Sequence, residues 1–259
     1  MTTDTGMTTR MGSPIPMTTN VALSPQALHA LLAWMSPAFP VGAYTYSHGL
    51  EWAVEEGTVH DAASLEAWLG DVLHHGAGRS DAILLARAMD AATAGDASAF
   101  RDLLELSLAL QPSAERFLEA SAQGGAFIAA VRDAWPAPQD CPAAALFDQL
   151  TAGSEAIARG GWSYPLAVAL AASAHAMPAA PVAGAYLHAL AANLVSAAVR
   201  AVPLGQTDGQ RVIHALGPAI AALADEALDS GLDDIGGCAF LVDIASMNHE
   251  TQYTRLFRS

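Results

Sequence analysis

A chain of 259 residues with a formal charge of −15 can hold one large domain or two small ones, and its acidity argues against nucleic acid as a partner. All eleven basic residues are arginine. That excludes a phosphate loop built on Gly-Lys-Ser/Thr, and it excludes Schiff-base and lysine-base chemistry. The two cysteines, Cys141 and Cys238, stand far apart, form no metal-type pair and suggest no disulfide framework, so a reducing compartment is expected.

Alanine is the commonest residue and the strongest helix former, so an all-α fold is the default. Residues 1–20 lack a basic end followed by a long apolar segment, which is unlike a signal peptide, and read as a disordered tail. Ser24-Pro25 opens a helix as N-cap and first-turn proline. Leu28, Leu31, Leu32 and Met35 then repeat on one face, and Pro37 and Pro40 end it. A short helix is expected over 47–56. Ser64 is expected to cap a third helix carrying Leu65, Trp68, Leu69, Val72 and Leu73, broken by Gly76 and Gly78. Ser80-Asp81 should start a fourth helix, and Asp96 or Ser98 a fifth through Leu110.

Pro112-Ser113 begins a longer element that Gly124-Gly125 could interrupt, and the proline-rich stretch 135–142 is a candidate hinge. Helices are then expected over 143–158, 162–176, 181–201 and 208–230, with Pro218 predicting a kink or break in the last. No uninterrupted apolar run reaches the roughly 18 residues that span a bilayer. The sum is a single-domain bundle of roughly nine or ten helices.

No catalytic set assembles along this chain. There is no Gly-x-Ser-x-Gly elbow, and neither cysteine has the neighbours of a nucleophile. His48 and Glu51 stand three apart and would share a helix face. With other histidines (His74, His75, His175, His188, His214) they keep open a second reading, a helical metal-dependent enzyme. One such pair supplies too few ligands by itself.

Three segments stand out, although the first also reads as a tightly packed connection between two helices. SPAFPVGAYTYSHGLE at 36–51 sets Phe39, Tyr44 and Tyr46 among prolines and glycines. VPLGQTDGQR at 202–211 follows Arg200 and reads as a polar loop or a capped turn. HETQYTRLFRS at 249–259 ends the chain in Tyr253, Leu256 and Phe257 among His249, Glu250, Arg255 and Arg258, where most chains fray into small polar residues. Large apolar groups so placed must fold back on the body or dock on another protein, and Tyr and Arg are favoured interface anchors.

Together, in this order and spacing, the three segments resemble the urease accessory protein UreF family from about residue 24 to the end. The stretch 90–160 contributes no motif. The resemblance implies an all-helical, cytoplasmic, non-catalytic scaffold without cofactors. It would bind UreD (UreH in some organisms), recruit the GTPase UreG and act, as a homodimer in the assembly, in nickel delivery to apo-urease; no membrane or nucleic acid is involved. Carried over by position, the C-terminal residues His249, Glu250, Tyr253, Arg255, Leu256, Phe257 and Arg258 would dock on UreD, with 243–259 as the docking tail. The residues Gly205, Gln206, Thr207, Asp208, Gly209, Gln210 and Arg211 would form the UreG-facing surface.

Overall fold

The computed structural model describes residues 22–138, 140–152 and 161–258; the expected tail at 1–20 lies outside them. Among the described residues there are eleven α-helices, two 3₁₀ turns and no strand. The helices are α1 (Pro25–Trp34), α2 (Leu50–Glu55), α3 (Ala62–His75), α4 (Ala77–Ala94), α5 (Ala97–Ala109) and α6 (Ala114–Ala134). They continue with α7 (Pro142–Thr151), α8 (Tyr164–Ala174), α9 (Ala179–Ala201), α10 (Gln206–Asp229) and α11 (Phe240–His249). Part of the helix expected over 143–158 falls outside the described residues.

The all-α, single-domain expectation holds. Its organising element is α8, buried from Pro165 to Ala174. A helix apolar on every side must be enclosed, and α4, α6 and α7 surround it. Aromatic rings close one end of this core. Trp34 meets Phe127, Trp135 and His175 edge-on at 5.7, 6.0 and 4.9 Å between ring centres. The candidate hinge is therefore pinned where it begins, since Trp135 also accepts a hydrogen bond at its carbonyl from His175 Nε2 at 3.2 Å.

Several ends differ from expectation for identifiable reasons. Asp61, not Ser64, caps α3. Its Oδ1 accepts from the Ser64 N–H at 2.8 Å, and Ser64 Oγ accepts from the Asp61 N–H at 3.0 Å, a reciprocal capping box. The break after α3 needs only Gly76, and α4 already runs at Ala77, so Ser80 and Asp81 lie inside it. Neither Gly124-Gly125 nor Pro218 ends its helix. In α10 the buried stripe Val212, Leu216, Ile220 and Leu223 continues across Pro218, and tertiary packing outweighs the missing backbone donor.

The 23-residue α9 has a mean hydropathy of 1.5 over its most apolar window, long and apolar enough to cross a membrane, although no uninterrupted apolar run signals it. Half of that window is buried inside the protein, where α9 packs on α10, α4 and α3 as a bundle helix. The sequence reading assigned no helix to 240–249, where α11 lies.

Candidate functional site

Two of the three segments singled out in the sequence meet at one end of the bundle, and Arg200, just before the third, reaches both of them. The first turns the chain sharply into α2. His48 and Gly49 both take left-handed backbone, at φ 56° and 76°. A Cβ on Gly49 would lie 2.5 Å from the Ser246 nitrogen and 2.8 Å from the Ala245 carbonyl carbon, so only glycine lets the start of α2 press against α11. That approach carries Glu51, in the first turn of α2, under the last residues of the chain.

Glu51 is buried, and its carboxylate is fully engaged. Oε1 accepts from the Leu256 N–H at 2.7 Å, and Oε2 accepts from the Phe257 N–H at 3.0 Å. His249 Nε2 lies 3.2 Å from Glu51 Oε2, while His249 Nδ1 lies 2.6 Å from Glu115 Oε2. Glu115 Oε1 in turn accepts from Arg255 Nη1 at 2.6 Å. Gln252 donates to Glu55, and Glu250 accepts from the Ala114 N–H at 2.8 Å, completing the first turn of α6.

The end of the tail and Arg200 close on the same place. The Arg258 N–H donates to the Thr45 carbonyl at 2.7 Å, beside the 3₁₀ turn Ala43–Thr45. The Arg200 guanidinium sits 4.5 Å over the Phe257 ring, and its Nη2 donates to the Tyr44 carbonyl at 2.8 Å. Arg200 lies in the last turn of α9, and residues 202–205 lead from its end into α10.

The predicted site residues thus divide into holders and presenters. His249 and Phe257 are buried and serve the body of the protein, and Glu250 and Arg255 are tied to α6. Tyr253 is fully exposed, Leu256 is 69% exposed, and Arg258 is exposed as well. The tail therefore folds back and still shows an outer face.

The polar loop expected at 205–209 is not a loop. Gly205 is the N-cap, and Gln206 to Arg211 form the first turns of α10. Asp208 accepts from the Gly205 N–H at 3.3 Å and pairs with Arg211 at 2.7 Å. An acid in a helix's first turn also complements the helix dipole, so residues that read as loop-forming nucleate the helix. Gln206, Thr207, Gln210 and Arg211 are exposed. Gly209 is buried because a Cβ there would stand 3.0 and 3.1 Å from Val195 and Val199 of α9; its role is packing.

Sequence reasoning missed the outward side of α11. Phe240 (68% exposed), Leu241, Ile244 and Met247 form an apolar ridge leading into the tail that carries Tyr253 and Leu256. The signal was present as large apolar residues at positions i, i+1, i+4 and i+7, but a helical period reports one face without saying whether it turns inward.

The His48–Glu51 pairing does not form. The left-handed turn puts His48 before α2, not on it, and the two side chains serve different networks. His48 Nε2 meets Glu119 Oε1 at 2.7 Å, and Glu119 also accepts from Arg116 Nη1 at 2.5 Å and Gln123 Nε2 at 2.8 Å. Burial and the nearby Arg116 hold the His48 imidazole below its ordinary value, against the pull of Glu119. These groups line a cavity of about 290 Å³ with Asp81, Tyr164 and Tyr186. Burial raises Asp81 to about 6, although the Tyr186 hydroxyl donates to it at 2.7 Å. His74, His75, His188 and His214 are exposed, and His175 packs on Trp34. Among the described residues no group of three His, Cys, Asp or Glu side chains is disposed to hold a metal ion.

The fold and this surface describe an all-helical protein whose terminal segment is built into the body on one side and turned outward on the other. The sequence model of the UreF family matches residues 59–217. The urease accessory protein UreF of Rhodopseudomonas palustris is 53% identical over 233 residues, covering 90% of this chain and 94% of the relative. Those of Xanthobacter autotrophicus and Methylobacterium radiotolerans are each 52% identical over 237 residues, covering 91% and 90% of this chain and 93% and 98% of the relatives. The chain belongs to the UreF family of urease accessory proteins.

Proposed function

We propose that the chain is a non-catalytic scaffold for nickel delivery to apo-urease, working in the cytoplasm. In this reading the ridge of α11 and the outer face of the tail dock on UreD (UreH). The exposed residues of the first turns of α10, Gln206, Thr207, Gln210 and Arg211, face the GTPase UreG. Two copies pair in the assembly. Family membership supports the general role.

The observation that carries the docking surface is the ridge itself. Phe240, Leu241, Ile244, Met247, Tyr253 and Leu256 are large apolar side chains left in water on one helix and the tail that follows it. Exposed apolar groups gathered in this way mark protein–protein contacts.

The test is co-expression with UreD and UreG. Ile244→Asp with Leu256→Asp should abolish co-purification of UreD while the far-UV helical signal stays unchanged, because both side chains already face water. Undiminished co-purification of the double variant would refute the surface. Light scattering of the co-purified complex reads whether two copies are present.

A further inference from the structure

Deletion of the tail removes presenters and holders together, yet the structure separates them, and one buried side chain holds more of the connections than any other. The final residues have little regular structure of their own, so their backbone donors must find partners elsewhere. Two consecutive N–H groups, those of Leu256 and Phe257, converge on one carboxylate, that of Glu51, at 2.7 and 3.0 Å. Successive backbone N–H groups pointing together form an anion-binding concavity; here the anion comes from α2.

The same carboxylate faces His249, which lies between Glu51 and Glu115 with a ring nitrogen toward each. A continuous line of polar contacts thus runs from α2 to the tail: Glu51, His249, Glu115, Arg255. Hydrogen bonds between charged partners are the strong ones. The remaining ties are the Phe257 ring under Arg200, the Arg258 N–H on Thr45, Gln252 on Glu55 and Glu250 on the Ala114 N–H.

We propose that Glu51 is the positioning residue of the tail: its carboxylate fixes the conformation in which Tyr253 and Leu256 face outward, and without it the tail leaves that conformation while the bundle stays folded. Only the consequence for partners rests on the docking reading above. Glu51 itself is buried, so its substitution leaves the exposed side chains chemically unchanged.

Amide hydrogen exchange on the full chain tests this without any partner. In the wild type the Leu256 and Phe257 amides should exchange at least ten times more slowly than in Glu51→Ala, with Glu51→Gln between them because it keeps an acceptor oxygen. The slow amides of α4 and α8 should not change, which separates positioning from a loss of fold. Should Glu51→Ala fail to fold, the same comparison is made with Glu51→Gln. Equal exchange at 256 and 257 in wild type and variant would overturn the proposal. A second arm measures co-purification of UreD, where loss in Glu51→Ala is expected. If tail protection is lost and UreD still binds normally, the docking reading fails and the positioning role stands.

Discussion

Phe240→Ala separates partner docking from folding more cleanly than any change in the core. Phe240 opens α11 and is 68% exposed. A phenylalanine presents roughly 150–250 Å² in all, so truncation removes about 100 Å² of apolar surface that a partner could cover, worth about 2.5 kcal/mol at about 25 cal/mol per Å². Affinity for UreD should therefore fall roughly 70-fold if the ridge lies at the centre of the contact. The folded chain loses almost nothing, because the ring already faces water and alanine is a better helix former; the change in stability should stay within about 0.5 kcal/mol. The assay pairs titration of the co-expressed complex with thermal unfolding of the free chain. Wild-type affinity in Phe240→Ala, or a large fall in melting temperature, would show that this face is not what the partner reads.

Arg211→Ala should weaken recruitment of UreG more than binding of UreD; the opposite ranking in pull-downs would refute the assignment of α10. Its exposed pair with Asp208 should cost the fold less than about 1 kcal/mol. Asp81, raised to about 6 from an ordinary 3.8, keeps its proton in the fold after the unfolded chain has lost it. Stability should therefore fall as pH rises from about 4 to about 6, by up to about 3 kcal/mol, and level off above. His48, held low, acts with the opposite sign, its contribution growing as pH rises toward 6.5. Chemical denaturation across this range should show the Asp81 component disappear in Asp81→Asn; an unchanged profile would refute its cause. Gly209→Ala should destabilise by about 1–3 kcal/mol because its Cβ meets Val195 and Val199. Gly70→Ala, in open space on α3, should stabilise by up to about 1 kcal/mol; matching melting temperatures for the two would refute the packing argument.

What the sequence makes legible here is local. The caps Ser24, Asp96 and Ser113 act where their side chains reach a backbone donor three residues on or nearer, a contact that sequence spacing nearly determines. The enclosure of α8 is legible too, because a run apolar on all sides leaves no face for water. The misreadings arise where distant parts decide. Pro218 ends an isolated helix, and a buried stripe shared with α9 and α3 keeps this one whole. His48 and Glu51 look like one site at helical spacing, and a left-handed turn set by the approach of α11 sends them to partners at 119 and 249.

The candidate surface was half visible for the same reason. Composition near the chain end shows that Tyr253, Leu256 and Phe257 cannot all be left without contacts, but not how they divide. The division follows from Glu51, 205 positions before Leu256, whose hydrogen bonds to the 256 and 257 amides set one ring inward and turn its neighbours out. Gly49 belongs to the same mechanism: any side chain there would push α2 off α11 and lift Glu51 from under the tail. Segments that look like independent motifs in the sequence are thus parts of one mechanical unit. A substitution in the 36–51 segment should therefore register first at the far end of the chain, in the exposure of Tyr253 and Leu256, before it registers in the helices beside it.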